Sequence, residues 1–406
     1  MSRIPQWLAQ SGCVLTFALV AMSNAVAQVV PVPAGPEQVV IESQRLGERR
    51  PVLVYLPESY RHTQARYPVL IVVDGDGPGA TLAMSVVNNL SALLTGSIPE
   101  LIVVAIPNFD RSRDLVPPPA NGGVTGDEGV PAVPNAHADV FLAFIEEELL
   151  PEIDRRYRTH PVRFLHGSSY GGLFGVFAFV KRPDLFRGIV ASSPSLWVDK
   201  HAWVDSLSAS LQRRPATQQW LYSSAGEFDS DLITTPMPRL TSVLRAGAPT
   251  TLSWRVESLT GRDHQSANEA ALMAGLRHIF AGFQVPYLEL GHMSPDDVRA
   301  RYRALSTSYG WPVQAPAWAF NRQLLIQGAV GHPWQDKAEV AKAIADEYPW
   351  HPYGYDAQTW FYGVPGRDLP RAVALEEEAI RIARRSGYWV AELEAALAGY
   401  RKQLPK

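Results

Sequence analysis

The chain has 406 residues, of which 46% are hydrophobic and 19% charged, with a formal charge of −3. That is ordinary globular composition, long enough for one large domain and a smaller one, and its balanced charge gives no footprint for nucleic acid or an anionic membrane as partner. The single cysteine, Cys13, excludes a disulfide framework and a cysteine metal site.

The first segment reads as a leader. Arg3 precedes the apolar run Cys13 to Met22, and Ala25-Val26-Ala27 follows as an A-x-A cleavage site. Residues 1–27 are therefore expected to be a signal peptide, cleaved after Ala27. An apolar core of about ten residues is too short for a mature membrane span. An exported protein without disulfides is expected in a bacterial periplasm or outside the cell.

After a Pro-rich segment (Pro31 to Pro36), Val39 to Ile41 and Val52 to Leu56 are predicted as a hairpin-like strand pair about Gly47 to Arg50. Val69 to Val73 is a continuous β-branched run suited to a strand buried on both faces. It ends in a glycine-rich turn, Asp74 to Gly79, before a helix over about Ala80 to Leu94. The next buried strand is Leu101 to Ile106, followed by Asn108-Phe109-Asp110-Arg111-Ser112-Arg113-Asp114. Pro117 to Pro134 is a Gly/Pro-rich stretch, read either as a flap over a site or as an unstructured insertion. An amphipathic helix is predicted over His137 to Leu150.

Val162 to Leu165 then runs as a strand into Gly167-Ser168-Ser169-Tyr170-Gly171, and an apolar segment of helical length follows over Leu173 to Val180. Strand, G-x-S-x-G and helix in that order are the nucleophile-elbow context of α/β-hydrolases. Gly167 and Gly171 give the tight turn its room, and Gly172 lets the helix lie close to the sheet. Further strands are predicted at Gly188 to Ala191, Trp220 to Ser223 and Thr251 to Val256, with a helix over about Thr235 to Arg245. Ser266 and Glu269 have capping-box spacing at the start of a helix that runs to about Phe280. Strands alternating with helices indicate a mostly parallel sheet covered on both faces.

From about Pro295 no strand pattern remains. Helices are predicted near Pro295 to Leu305, Pro316 to Ile326, Lys337 to Asp346, Leu369 to Arg385 and Val390 to Gln403. Lys337-Ala338 and Arg371-Ala372 lie 34 residues apart, the spacing of a degenerate helix-turn-helix repeat. The expected organisation is signal peptide 1–27, an α/β domain 28–290 and an all-α C-terminal extension 291–406.

A serine hydroxyl needs a base within hydrogen-bond reach. Of the histidines after Ser169, only His264 follows a sheet strand and lies in a loop, so it is the expected base. An acid is then expected at the exit of the intervening strand, where Glu227, Asp229 and Asp231 lie. Asp229 is preferred, three residues past Gly226, with Glu227 competing. The backbone amides of Tyr170 and Asp76 are the expected oxyanion donors. Arg111 is read as a holder of an anionic substrate oxygen or as an ion-pair partner of Asp110 and Asp114. Trp197 is read as a pocket wall or a core residue. No G-K-[ST] follows the glycine-rich turn and no histidine/carboxylate cluster has ligand spacing, so no cofactor and no metal are expected.

Together with Val54-Tyr55-Leu56-Pro57, Tyr67-Pro68-Val69-Leu70, Pro183-Asp184-Leu185-Phe186 and Ser193-Pro194-Ser195-Leu196-Trp197, these motifs resemble the "putative esterase" family of α/β-hydrolases from about Val39 to Phe280. The resemblance is to its siderophore (trilactone) esterase-like and esterase D-like branches. It implies an α/β-hydrolase fold, a triad on Ser169, Asp229 and His264, and a small ester as substrate. The last hundred or so residues are similar to tetratricopeptide-like extensions of some members. Acyl transfer through the same triad, and a non-catalytic scaffold working through the helical extension, are the alternatives; a protein partner for those helices is not named by the sequence.

Overall fold

The computed structural model describes residues 35–120, 133, 135–329 and 331–405. The expected signal peptide, and residues 121–132 and 134 of the Gly/Pro-rich stretch, lie outside the described residues. The chain forms two compact units, Gly35–Ile326 and the segment from Gln327 onward.

The first unit is built on an eight-stranded sheet in the order β1-β2-β4-β3-β5-β6-β7-β8. The predicted hairpin is present, with β1 (Glu37–Ser43) antiparallel to β2 (Glu48–Tyr55) and Gly47 turning between them at φ 66°. Beyond β2 the sheet is parallel from β4 (Ile102–Ile106) through β3 (Tyr67–Val73), β5 (Thr159–Ser168), β6 (Gly188–Ser192) and β7 (Gln219–Gly226) to β8 (Leu252–Leu259). Every residue of β3, β4, β6 and β7 is buried, as a parallel sheet covered on both faces requires. The covering helices include α1 (Gly77–Ser91), α2 (Arg111–Leu115), α3 (Ala138–Phe144), α4 (Tyr170–Lys181), α5 (Ala202–Ser210), α6 (Met237–Gly247) and α7 (Ser266–Ile279). This is the mostly parallel, doubly covered sheet expected from the alternating pattern, and the α/β-hydrolase architecture that the resemblance implies.

Three local expectations are corrected. The helix predicted over His137 to Leu150 continues through a π-helical turn, Ile145–Leu149, into Leu150–Arg156; Pro151 removes a ladder donor where the regular helix is interrupted. The Ser266/Glu269 capping box does not form. Asp263 caps α7 instead, its Oδ1 accepting from the Ser266 amide at 2.8 Å and from the Ser266 hydroxyl at 2.6 Å. The unit also passes the expected boundary at 290 and runs to Ile326. Pro295–Tyr309 and Ala317–Ala329 (α8 and α9) carry aromatic side chains that complete its core. Tyr302 meets Phe283 edge-on at 5.2 Å, Phe280 meets Tyr309 at 6.0 Å, and Phe283 meets Trp318 at 5.9 Å.

Among the described residues of the second unit, four helices follow one another: Trp334–Glu347, Tyr353–Tyr362, Leu369–Ser386 and Val390–Gln403. Each packs on the next, so Lys337 and Arg371 stand near the starts of two successive helix-turn-helix pairs. The helix Tyr353–Tyr362 escapes the sequence reading because its aromatic and glycine residues show no apolar stripe. Among the described residues, no helix is long and apolar enough to cross a membrane.

This helical unit holds a buried acid, Glu376, beside the half-buried Asp356 on the neighbouring helix. Glu376 has no exposed surface, and burial, with Asp356 nearby, pushes its carboxyl above the ordinary 4.5; burial pushes Asp356 up as well. Thr359 lies among them, its hydroxyl donating to the Asp356 carbonyl at 2.7 Å and lying 3.0 Å from the Tyr400 hydroxyl. A raised carboxyl pKa means that the folded state holds the proton more tightly than the unfolded one. The contribution is full below the ordinary value and is lost as pH rises through the raised one. Glu376→Gln is therefore expected to raise the unfolding temperature of the full chain at pH 8.5, with the gap to wild type closing toward pH 4.5. Scanning calorimetry reads this, and a gap independent of pH would contradict it.

Candidate active site

In an open parallel sheet, side chains at the C-terminal strand ends converge on one edge. Asp74 follows β3, Asn108 and Arg111 follow β4, and Ser169 follows β5. Ser193 and Ser195 follow β6, Asp229 follows β7, and His264 follows β8.

Ser169 sits between β5 and α4 at φ 59° and ψ −116°, a strained backbone for any residue with a Cβ. The turn closes only because its neighbours are small. A Cβ on Gly167 would lie 2.5 Å from the Gly171 carbonyl, and one on Gly172 would lie 2.8 Å from the Ser192 oxygen. The strain is held by backbone bonds on both sides. The Ser169 amide donates to Ser192 O at 2.9 Å, and the Ser195 amide donates to Ser169 O at 3.1 Å.

His264 and Asp229 form a pair. His264 Nδ1 lies 2.6 Å from Asp229 Oδ1, with the imidazole 35% exposed and the carboxylate not exposed at all. The other Asp229 oxygen accepts from the Ser193 hydroxyl at 2.7 Å and from the Gly226 amide at 2.8 Å. Opposite a carboxylate oxygen Nδ1 is the donating nitrogen, which leaves Nε2 on the far side of the ring from Asp229. Glu227, the competing acid, turns away: its Oε2 accepts from the Gly261 amide at 2.7 Å and so holds the loop before α7. Asp231 is exposed and opens the short helix Asp231–Thr234. The Ser169 hydroxyl lies 3.3 Å from that of Ser195, and no hydrogen bond joins it to His264 among the described residues.

Tyr170 is the first residue of α4 and Asp76 the N-cap of α1, so both amides stand where a helix has no partners of its own. Their loops touch: a Cβ on Gly171 would lie 3.0 Å from both the Val73 side chain and the Asp74 carboxylate. Arg111 pairs with neither Asp110 nor Asp114. Its Nε and Nη2 donate to the two oxygens of Asp74 at 2.7 and 3.0 Å. Arg113 does pair with Asp114, at 2.7 Å, and also with Glu48. Trp197 is 8% exposed within the main core, its ring 6.2 Å from that of Tyr170. His166, three residues before Ser169, is buried and pushed down to about 4 by desolvation; it contacts Val190 O at 3.2 Å and Asn268 Oδ1 at 3.0 Å. It is thus a neutral core residue.

Sequence reasoning missed the contacts of Ser193, Ser195, Asp74 and Asn108. Their one available signal was position, since each stands at a strand exit. Ser193 is fully buried and supplies one of three donors to a carboxylate that solvent cannot reach. Ser193→Ala is expected to lower stability by about 1–2 kcal/mol, read as a fall in the denaturant midpoint with an unchanged slope. An unchanged midpoint would show that the bond contributes nothing.

The family model "Putative esterase" matches residues 43–279. Ferri-bacillibactin esterase BesA of Bacillus subtilis is 33% identical over 145 residues, covering 34% of this chain and 50% of the relative. The siderophore triacetylfusarinine C esterase of Aspergillus fumigatus is 32% identical over 180 residues, 41% of this chain and 58% of the relative. The chain thus spans about half the length of the curated relatives it matches. Among solved structures, an IroE-like serine hydrolase from Shewanella oneidensis superposes with a TM-score of 0.64 at 25% identity, covering 77% of this chain and 99% of that one. An uncharacterised protein from Capnocytophaga ochracea superposes at 0.58 and 15% identity, covering 89% and 99%, a likeness of fold alone. With its family match running from the end of β1 to the end of α7, the chain belongs to this esterase family of α/β-hydrolases.

Proposed function

We propose that this chain is an exported serine ester hydrolase that works through an acyl-enzyme on Ser169 and acts on small aromatic or siderophore-like esters. The observation that carries the reading is the 2.6 Å contact between His264 and the buried Asp229, at two strand exits beside a serine on a strained elbow. Membership of the esterase family supports ester chemistry. The names of the relatives, a ferri-bacillibactin esterase and a triacetylfusarinine C esterase, support the substrate class. The A-x-A site at Ala25 to Ala27 supports export to the periplasm or the medium.

In this reading Ser169 rotates from Ser195 toward the imidazole and gives its proton to Nε2 as Oγ attacks the ester carbonyl. Asp229 holds the imidazole in the required tautomer and stabilises the imidazolium that forms. The carbonyl oxygen, now negative, takes the Tyr170 and Asp76 amides. Collapse breaks the bond to the alcohol, which leaves with the proton from His264. Water then enters where the alcohol left: it gives a proton to Nε2 as it attacks the acyl carbon, and the second collapse breaks the acyl–Oγ bond, with His264 returning the proton to Ser169 as the acid leaves. Trp197, its ring 6.2 Å from that of Tyr170, packs beside the elbow as a core residue.

An activity panel of aryl, thio- and trilactone esters tests this. Ser169→Ala is expected to lose at least about 10³-fold in kcat, and Asp229→Asn about 10²- to 10⁴-fold through the wrong imidazole tautomer. Activity surviving in Ser169→Ala would sink the mechanism. Products found only as transesters when an alcohol is added would replace hydrolysis with acyl transfer.

A further inference from the structure

Arg111 reaches back from α2 to the elbow, its side chain 37% exposed. Nε and Nη2 donate in parallel to Asp74 Oδ1 and Oδ2 at 2.7 and 3.0 Å. Nη2 also donates to the Ser168 carbonyl at 3.2 Å. The guanidinium carbon lies 5.1 Å from the centre of the Tyr170 ring. Asn108 adds a bond from Nδ2 to Asp74 Oδ1 at 2.7 Å. One side chain therefore touches the loop that carries Asp76 and both residues that flank Ser169.

The base of this strap is itself fixed. Asp110 caps α2 by accepting from the Arg113 amide at 3.0 Å. Asp114 is buried and ion-paired to Arg50 and Arg113, and the His137 amide closes on Arg113 O at 2.8 Å. Asp74 meets the guanidinium from a left-handed backbone, at φ 57°, a conformation that costs energy in a non-glycine residue and so needs a compensating contact.

We propose that Arg111 is a positioning residue, which ties the β3 exit loop to the elbow and so fixes the spacing of the Asp76 and Tyr170 amides. The proposal rests on the esterase reading above. Two amides stabilise one oxyanion only when both lie about 2.7–3.1 Å from the place where it forms, and misplacement by about 1 Å costs on the order of 10²-fold. Nε and Nη2 are committed to Asp74 and the Ser168 carbonyl, and the ion pair offsets much of the charge a substrate anion would meet. Lysine cannot take its place, because an ammonium lacks the planar fork that spans two carboxylate oxygens.

The test compares a neutral aryl ester with one that carries a carboxylate far from the scissile bond, in wild type, Arg111→Gln, Arg111→Lys and the milder Asn108→Ala. Both arginine variants are expected to lose about 10- to 100-fold in kcat on both esters, with KM within about twofold. Asn108→Ala is expected to follow the same pattern with a smaller loss, which keeps the test open if an arginine variant fails to fold. A loss confined to the anionic ester and appearing in KM would make Arg111 a substrate holder and overturn the proposal. Unchanged kcat on both esters would overturn it as well. A wild type without Ser169-dependent turnover of either ester would overturn the esterase reading itself, and the proposal with it.

Discussion

A carboxylate with no exposed surface is stable in a folded chain only if its lone pairs are filled. Asp229 meets that condition with donors from three strand exits: Gly226 at the end of β7, Ser193 just past β6 and His264 past β8. The requirement therefore fixes more than the acid. It sets the register of three loops along one edge of the sheet, and it brings the imidazole to the side where the elbow after β5 presents Ser169. The adjacent exits after β3 and β4 are joined by an ion pair, Arg111 on Asp74. Two buried or half-buried carboxylates, each accepting three hydrogen bonds, thus organise the C-terminal edge.

Much of this was legible in the sequence because it depends on local pattern. β-Branched runs marked the buried strands, and Gly167-x-Ser169-x-Gly171 between strand and helix marked the elbow. The order serine, acid, histidine narrowed the remaining choices to a few residues. The structure separates Asp229 from Glu227 by burial: one carboxylate is enclosed, and the other is spent on the Gly261 amide at the surface.

What stayed hidden depends on contacts between distant positions. Ser193 meets Asp229 across 36 residues and Arg111 meets Asp74 across 37, and no periodicity reports such meetings. The cap of α7 was placed one turn late, because Ser266 and Glu269 have the right spacing while Asp263 has the better geometry. The α/β boundary was placed too early for a similar reason. Tyr302, Tyr309 and Trp318 read as part of a helical appendage, yet their rings complete the aromatic core around Phe280 and Phe283.

The central claim is that Ser169, and not the neighbouring Ser195 whose hydroxyl lies 3.3 Å away, carries the acyl group. Acid-quenching the protein during turnover of an excess of a slow aryl ester, followed by peptide mass spectrometry, reads this directly. The account expects one acyl group per chain, on Ser169. Acylation at Ser195, or steady hydrolysis with no covalent acyl species at any serine, would contradict it.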